Sequence, residues 1–356
     1  MAPPFVRANV RDMQGYAPGE QPGAGERVVK LNTNENPFAP SDKVMQAISQ
    51  VEPEMLRRYP DPLATRFRQA AARVLEVTPE MILCGNGSDD VLTIATRTFV
   101  PPGGVLASPD PTYSLYPVLA RLEQADYVSV PWEKDWALPI DGLVETEANA
   151  IYLANPNAPS GTFVSPLKVE ELARKFSGLV LIDEAYADFA EDNCLTLVRE
   201  HRNVVICRTM SKAYSLAGLR FGFAVARPDV IEQMAKVKDT YNCDAIAICA
   251  ATAAIEDQEY ARRSWEHVKS ERQRISSELT QMGWTVAKSQ ANFILAASPN
   301  GRGKEVYLGL KQQGILVRHW DKPGLADKIR ITVGQSQENN ALLAGIKALT
   351  AAEKAA

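Results

Sequence analysis

The stretch Leu179-Val-Leu-Ile-Asp-Glu-Ala-Tyr186 decides how this chain must fold. Four consecutive aliphatic residues without polar alternation suit a strand covered on both faces, and a carboxylate follows where that strand ends. Runs of the same kind recur on either side: Met81-Ile-Leu-Cys84, Val105-Leu-Ala-Ser108, Tyr127-Val-Ser-Val130, Ile151-Tyr-Leu-Ala154, Val204-Val-Ile-Cys207 and Phe221-Gly-Phe-Ala-Val225. From about residue 44 to 240 they alternate with amphipathic stretches of helical period. Ser88 reads as the cap of a helix over 89–99, and Ser165-Pro166 opens another. The alternation predicts an α/β fold, a mostly parallel seven-stranded sheet sandwiched by helices. Ligands of such sheets bind beyond the carboxyl ends of the strands, so the residues just after each run are the candidates for chemistry.

At 356 residues the chain exceeds what one hydrophobic core usually fills. The first forty residues, rich in Pro, Gly and Asn, suit an extended arm better than a helix or strand. After Tyr241 the pattern becomes a long helical region over 245–282, followed by strands near Trp284-Thr-Val-Ala287, Asn292-Phe-Ile-Leu295, Ile315-Leu-Val-Arg318 and Ile329-Arg-Ile-Thr-Val333. Three parts follow: an arm with part of a small domain over 1–43, a large ligand-binding domain over 44–244, and a smaller α+β domain over 245–356.

Bulk composition narrows the function classes. A net charge of −4 with Lys and Arg scattered offers no field for a nucleic-acid backbone. No stretch approaches the roughly 18–20 apolar residues of a membrane span, and the N-terminus lacks the apolar core of a signal peptide, so a cytoplasmic protein is expected. Five cysteines without a CxxC, far from three scattered histidines, read as buried thiols, and no metal site is expected.

Four segments combine into one candidate site. Asp183, at the end of a buried strand, needs a cationic or hydrogen-bonding partner, because an unpaired buried carboxylate is costly. A protonated pyridine nitrogen is such a partner, and the carboxylate would keep that ring an electron sink. In Arg208-Thr-Met-Ser-Lys-Ala-Tyr-Ser-Leu-Ala-Gly-Leu-Arg-Phe-Gly222, Lys212 is an amine able to form a Schiff base, while Thr209, Ser211 and Arg220 offer two hydroxyls and a guanidinium to a phosphate. Gly85-Asn-Gly-Ser-Asp-Asp90 makes a turn into a helix, so the backbone N–H groups of Gly87, Ser88 and Asp89 should converge on that phosphate. It is neither a dinucleotide fingerprint nor a P-loop. The fourth segment, Asn155-Pro-Asn-Ala-Pro-Ser-Gly161, could present an amide to a ring hydroxyl. Tyr113 is a flat ring for stacking, Tyr186 a hydroxyl donor, and Arg330 a clamp for a substrate anion. Read singly, each has an ordinary structural reading; together they point to pyridoxal 5'-phosphate (PLP).

Over nearly its whole length the sequence resembles the fold-type I PLP-dependent aminotransferases, and among them the histidinol-phosphate aminotransferase family. The resemblance rests on Leu31-Asn-Thr-Asn-Glu-Asn-Pro37, Arg58-Tyr-Pro60, Gly85-Asn-Gly-Ser-Asp89, Asp110-Pro-Thr-Tyr113, Asn155-Pro-Asn-Ala-Pro-Ser-Gly161, Ile182-Asp-Glu-Ala-Tyr186, Ser211-Lys-Ala-Tyr-Ser-Leu-Ala-Gly-Leu-Arg220 and Arg330-Ile-Thr-Val-Gly334. It implies a homodimer with shared active sites, in which Tyr59 reaches the cofactor phosphate of the neighbouring subunit. It also implies that Tyr16, Asn34, Arg318 and Arg330 lie on the substrate side, and that the reaction exchanges an amino group between L-histidinol phosphate and 2-oxoglutarate. Where the family commonly has Asn before Pro-Thr-Gly, this chain has Ala158, and Asn157 is expected to serve the ring oxygen instead, with Tyr186 as the other candidate. Aromatic amino-acid transamination and threonine-phosphate decarboxylation are the rival activities on the same scaffold. A non-catalytic binding protein of this fold would be favoured by loss of Lys212, which is present.

Overall fold

The computed structural model describes residues 3, 5–23 and 25–354, with side chains through Leu349; residues 1, 2, 4, 24, 355 and 356, parts of the expected arm and C-terminal domain, lie outside the described residues. In chain order its strands are β1 Val29–Lys30, β2 Ile82–Gly85, β3 Val105–Asp110, β4 Asp126–Pro131, β5 Ala150–Ala154, β6 Leu179–Asp183, β7 Val204–Thr209, β8 Gly222–Val225, β9 Thr285–Val286, β10 Phe293–Ala297, β11 Ile315–Leu316, β12 Arg318–His319 and β13 Lys328–Thr332. Strands β2 to β8 form one seven-stranded sheet in the order β2-β8-β7-β6-β5-β3-β4, parallel except for β8, which is antiparallel to both its neighbours. All seven expected runs are therefore strands of one sheet.

Both faces of this sheet are covered, which explains the unbroken apolar runs. In β5 to β7, Ile151, Leu153, Val180, Ile182, Val204 and Ile206 enter one core, whereas Tyr152, Leu179, Leu181 and Val205 enter the core on the opposite face. Each large side chain so buried contributes about 1.5–3 kcal/mol relative to exposure. The main-sheet helices are α1 Ala8–Arg11, α2 Asp42–Ser49, α3 Pro53–Arg57, α4 Thr65–Leu75, α5 Ser88–Phe99, α6 Tyr116–Leu122, α7 Ile140–Val144, α8 Pro166–Lys175, α9 Leu197–Glu200 and α10 Pro228–Ala235. Gly87, not Ser88, is the N-cap residue of α5: its φ of 87° is natural only for glycine, and Ser88 is the first helical residue.

The helical region expected over 245–282 is two helices, α11 Ala245–Glu256 and α12 Gln258–Gln281, separated at Asp257. The first packs on α2 and α4 within the core of the large sheet, with Ala247, Ile248, Ala250, Ala251 and Ile255 buried there. Val268, Ile275 and Leu279 of α12 instead enter a separate core with β10 and β13. The division expected at 244/245 thus cuts α11 away from the core it fills, because an all-round apolar, Ala-rich helix suits a crowded interior on either side of a boundary. The remaining helices, α13 Gly303–Gln312 and α14 Ser336–Lys354, accompany a four-stranded antiparallel sheet, β12-β13-β10-β9. The N-terminal segment is not wholly extended: α1 is one helical turn, and β1 pairs in parallel with β11.

Candidate active site

Register brings the chemistry together. Asp183, the last residue of β6, stands beside Ala154 of β5 and Cys207 of β7, so the segments following these strands emerge at one carboxyl edge. A cavity of about 520 Å³ opens there. It is walled by Tyr16, Asn34, Ser88, Asp89, Tyr113, Asp183, Tyr186, Thr209, Ser211, Lys212, Arg220, Arg318 and Arg330, all expected from sequence.

The Asp183 carboxylate is 5 % exposed and receives hydrogen bonds from the Tyr116 hydroxyl (3.0 Å) and the Ala185 N–H (3.2 Å). Burial pushes it up to about 6 even though both donors pull it down. No cationic side chain pairs with it among the described residues. Lys212 Nζ donates to the Thr33 carbonyl (3.0 Å). Burial first, and the Arg330 charge second, lower this amine to about 8, within reach of the neutral form a nucleophile or base must have. Below the cavity Arg208 holds Glu184 through Nε (3.0 Å) and Nη2 (2.7 Å), a buried pair tying the ends of β6 and β7 together.

At the other end of the cavity, the first-turn N–H groups of Ser88 and Asp89 have no acceptor within α5. Arg220 reaches both Asp89 Oδ2 (3.2 Å) and Ser211 Oγ (3.5 Å), and the Tyr113 hydroxyl donates to Asp89 Oδ1 (3.1 Å). Arg220 has a φ of 48°, a conformation uncommon for a residue with a side chain and characteristic of functional sites. The expectation for Gly87 needs correction: its N–H is spent on the Gly85 carbonyl (2.8 Å). Its role is to leave room, since a Cβ there would lie 2.6 Å from an Arg220 nitrogen.

Asn157 is likewise outside the cavity, contrary to expectation. It is fully buried, with Nδ2 donating to the Pro111 carbonyl (3.1 Å) and Ser160 Oγ (2.9 Å) while Oδ1 accepts from Thr112 (2.9 Å). An amide whose donors and acceptor are all taken, by Ser160 in its own loop and by Pro111 and Thr112 of a neighbouring segment, has nothing left for a ring oxygen; Ala158 lines the cavity in its place. The Tyr186 hydroxyl, by contrast, accepts from Asn34 Nδ2 (2.9 Å), which leaves its own proton free to point into the cavity. Tyr59 is not part of this chain's own cavity: it is 80 % exposed and stacks on Tyr241, with ring centroids 4.4 Å apart.

The wall expected to face the substrate is built on arginines and aromatics. Arg330 donates to the Asn32 carbonyl (2.9 Å) and lies over the rings of Phe293 and Trp320, while its buried Nε has no partner among the described residues. Arg318 lies over the same Trp320 ring and donates to the Pro18 carbonyl (3.3 Å), which holds the N-terminal segment and Tyr16 against the cavity. Sequence reading missed Trp320 and Tyr116. Trp320 follows Arg318 by two, the spacing that keeps strand side chains on one face, and Tyr116 follows Tyr113 by three, one turn on at a helix start.

The fold and this site together define a PLP-dependent transferase, and the family model described as aminotransferase class I and II matches residues 26–346. Histidinol-phosphate aminotransferase 1 of Trichormus variabilis is 44 % identical over 97 % of this chain and 99 % of its own length. The histidinol-phosphate aminotransferase of Rhodopirellula baltica is 44 % identical over 95 % of this chain and 93 % of its own. The crystal structure of the Sinorhizobium meliloti histidinol-phosphate aminotransferase in complex with pyridoxal-5'-phosphate superposes with a TM-score of 0.89 at 26 % identity, covering 98 % of this chain and 99 % of that one. This chain belongs to the histidinol-phosphate aminotransferase family of class I and II aminotransferases.

It is an enzyme whose cofactor is PLP, and the residues present fit that group. A buried carboxylate without a cation awaits a protonated ring nitrogen. A cradle of helix N–H groups and Arg220 awaits a phosphate, and it is kept open by Gly222, where a Cβ would overlap the Ser88 nitrogen.

Proposed function

We propose that the enzyme transfers the amino group of L-histidinol phosphate to 2-oxoglutarate, giving imidazole acetol phosphate and L-glutamate in histidine biosynthesis, as a cytoplasmic homodimer with shared sites. The observation that carries the substrate reading is Arg330, a buried guanidinium at the cavity wall whose Nε is unpartnered among the described residues, with Arg318 over the same Trp320 ring. Two arginines are suited to an anionic substrate that carries phosphate in one half-reaction and carboxylates in the other.

When bound, PLP supplies an aldehyde that holds the amine and a ring that accepts the electron pair left by the α-proton. Lys212 would hold the aldehyde through its amine and would serve as the base that takes and returns the proton. Asp183 would hold the proton on the ring nitrogen, Tyr186 would donate to the ring oxygen, and Tyr113 would cover the ring face. Ser88, Asp89, Thr209, Ser211 and Arg220 hold the phosphate. The dimer is supported by Met55, Leu56, Tyr59 and Leu63, large apolar side chains exposed within one short stretch. Among the described residues no helix is long and apolar enough to cross a membrane.

The test is a parallel assay with histidinol phosphate, phosphothreonine and phenylalanine, each with 2-oxoglutarate. Histidinol phosphate should be transaminated with the highest kcat/KM, and Arg330→Ala should weaken its binding by about 2–5 kcal/mol while leaving PLP affinity nearly unchanged. Arg220→Ala should do the reverse. Preference for either rival donor would overturn the substrate assignment.

A further inference from the structure

We infer that Tyr116 is a positioning residue for the transamination site, its hydroxyl holding Asp183 ionised and oriented toward the cofactor ring. The inference rests on the reading of Asp183 as the partner of the ring nitrogen and extends it to a residue that does not touch the cofactor.

The geometry leaves the hydroxyl little else to do. Tyr116 is completely buried at the start of α6, and among the described residues its hydroxyl hydrogen-bonds to Asp183 Oδ2 alone, at 3.0 Å. Its ring is fixed edge-on between Tyr113 (centroids 5.6 Å apart, planes at 86°) and Tyr152 (5.4 Å, 87°), so the hydroxyl cannot swing away without disturbing both. The titratable groups around Asp183 are Asp89 on α5, Tyr113, Tyr116, Glu184, Tyr186 and Cys207 on β7. All are acids and none is a cation. Before the cofactor arrives, the Tyr116 hydroxyl and the Ala185 N–H are the hydrogen bonds that favour the charged form of this carboxylate, against burial and the neighbouring acids. The backbone donor cannot be lost by substitution; the hydroxyl can. A carboxylate that is ionised in advance binds a protonated ring nitrogen, whereas a protonated one does not.

Tyr152 supplies the control. It is as buried as Tyr116, but its hydroxyl meets Thr96 Oγ1 at 2.9 Å rather than a carboxylate. Tyr116→Phe and Tyr152→Phe should therefore carry similar structural costs and differ only at Asp183. The experiment follows the Asp183 carboxyl in the cofactor-free protein by infrared difference spectroscopy against pH, with Asp183→Asn identifying its band, and measures PLP dissociation constants beside it. Tyr116→Phe should raise the carboxyl midpoint by about 1–2 pH units, the equivalent of a lost hydrogen bond to a charged group, and weaken PLP binding near neutral pH by about tenfold. Tyr152→Phe should move neither. A Tyr116→Phe midpoint equal to that of the unaltered protein, with Asp183→Asn still weakening PLP binding, overturns the role of Tyr116 and leaves that of Asp183 standing. If Asp183→Asn binds PLP as tightly as the unaltered protein, the reading of Asp183 fails, and the inference with it.

Discussion

Lys212 pays a folding cost for its chemistry. Its folded-state value near 8, against 10.5 ordinarily, means that the folded protein binds fewer protons than the unfolded chain between these two values. Stability of the cofactor-free protein therefore rises with pH through that window, and below about pH 8 the full cost of about 3 kcal/mol is present. Lys212→Met should abolish turnover and the visible absorption of added PLP. It should also melt at a higher temperature than the unaltered apoprotein at pH 7, with the advantage shrinking as the pH approaches 10.5. Equal melting temperatures at pH 7 would show that burial does not penalise the charged amine. A second residue-scale outcome concerns the ring oxygen. Because the Asn157 amide is spent on Pro111, Thr112 and Ser160, Asn157→Ala should lower stability by about 1–3 kcal/mol with the visible spectrum of the bound cofactor unchanged. Tyr186→Phe should shift that spectrum. The opposite pattern, measured by absorbance against pH, would return the role to Asn157.

At the scale of elements, the phosphate cradle depends on how closely β8 approaches the start of α5. Gly222 lies where β8 passes beneath Gly87 and Ser88, and an added Cβ would come within 2.6 Å of the Gly87 carbonyl carbon. Gly222→Ala must displace the N-terminus of α5, at about 1–3 kcal/mol for overpacking, and should loosen PLP by about tenfold or more. Gly218 has open space where its Cβ would be, so Gly218→Ala should leave PLP affinity unchanged. PLP titration of both variants, with melting curves to separate folding from binding, checks this.

For the whole molecule the question is whether a single chain completes the site. Tyr59 stands exposed outside its own cavity, and action on a neighbouring subunit's site is open to a direct test. Subunits carrying Tyr59→Phe, mixed with subunits carrying Lys212→Ala, should form heterodimers with one undamaged site and one that carries both lesions. After full exchange, activity should reach about a quarter of the unaltered enzyme's in addition to what the Tyr59→Phe dimers retain. No gain over the parent mixtures, with exchange confirmed by native mass spectrometry, would rule out action in trans.

How much of this was legible beforehand differs by kind of interaction. The apolar runs at 81–84, 105–108, 127–130, 151–154, 179–182, 204–207 and 221–225 marked all seven strands, because burial on both faces leaves its record in consecutive residues. Asp183, Lys212 and Arg220 were legible for a related reason: charged groups placed at strand ends or among phosphate ligands have few structural explanations. What the sequence could not determine was which side chains spend their polar groups on one another. Gly87 and Asn157 carry the right atoms, but other hydrogen bonds use them up, to Gly85 in one case and to Ser160 and the distant Pro111 in the other. Tyr116 reads as an ordinary core aromatic until register and packing bring its hydroxyl to Asp183, 67 residues away in the chain. The place of α11 was also left to tertiary structure, since a helix apolar on every side carries no directional signal and goes to whichever core has room, here the one beneath α2 and α4. Periodicity and charge placement are properties of neighbours along the chain, whereas hydrogen-bond satisfaction and domain assignment depend on partners that only folding brings together.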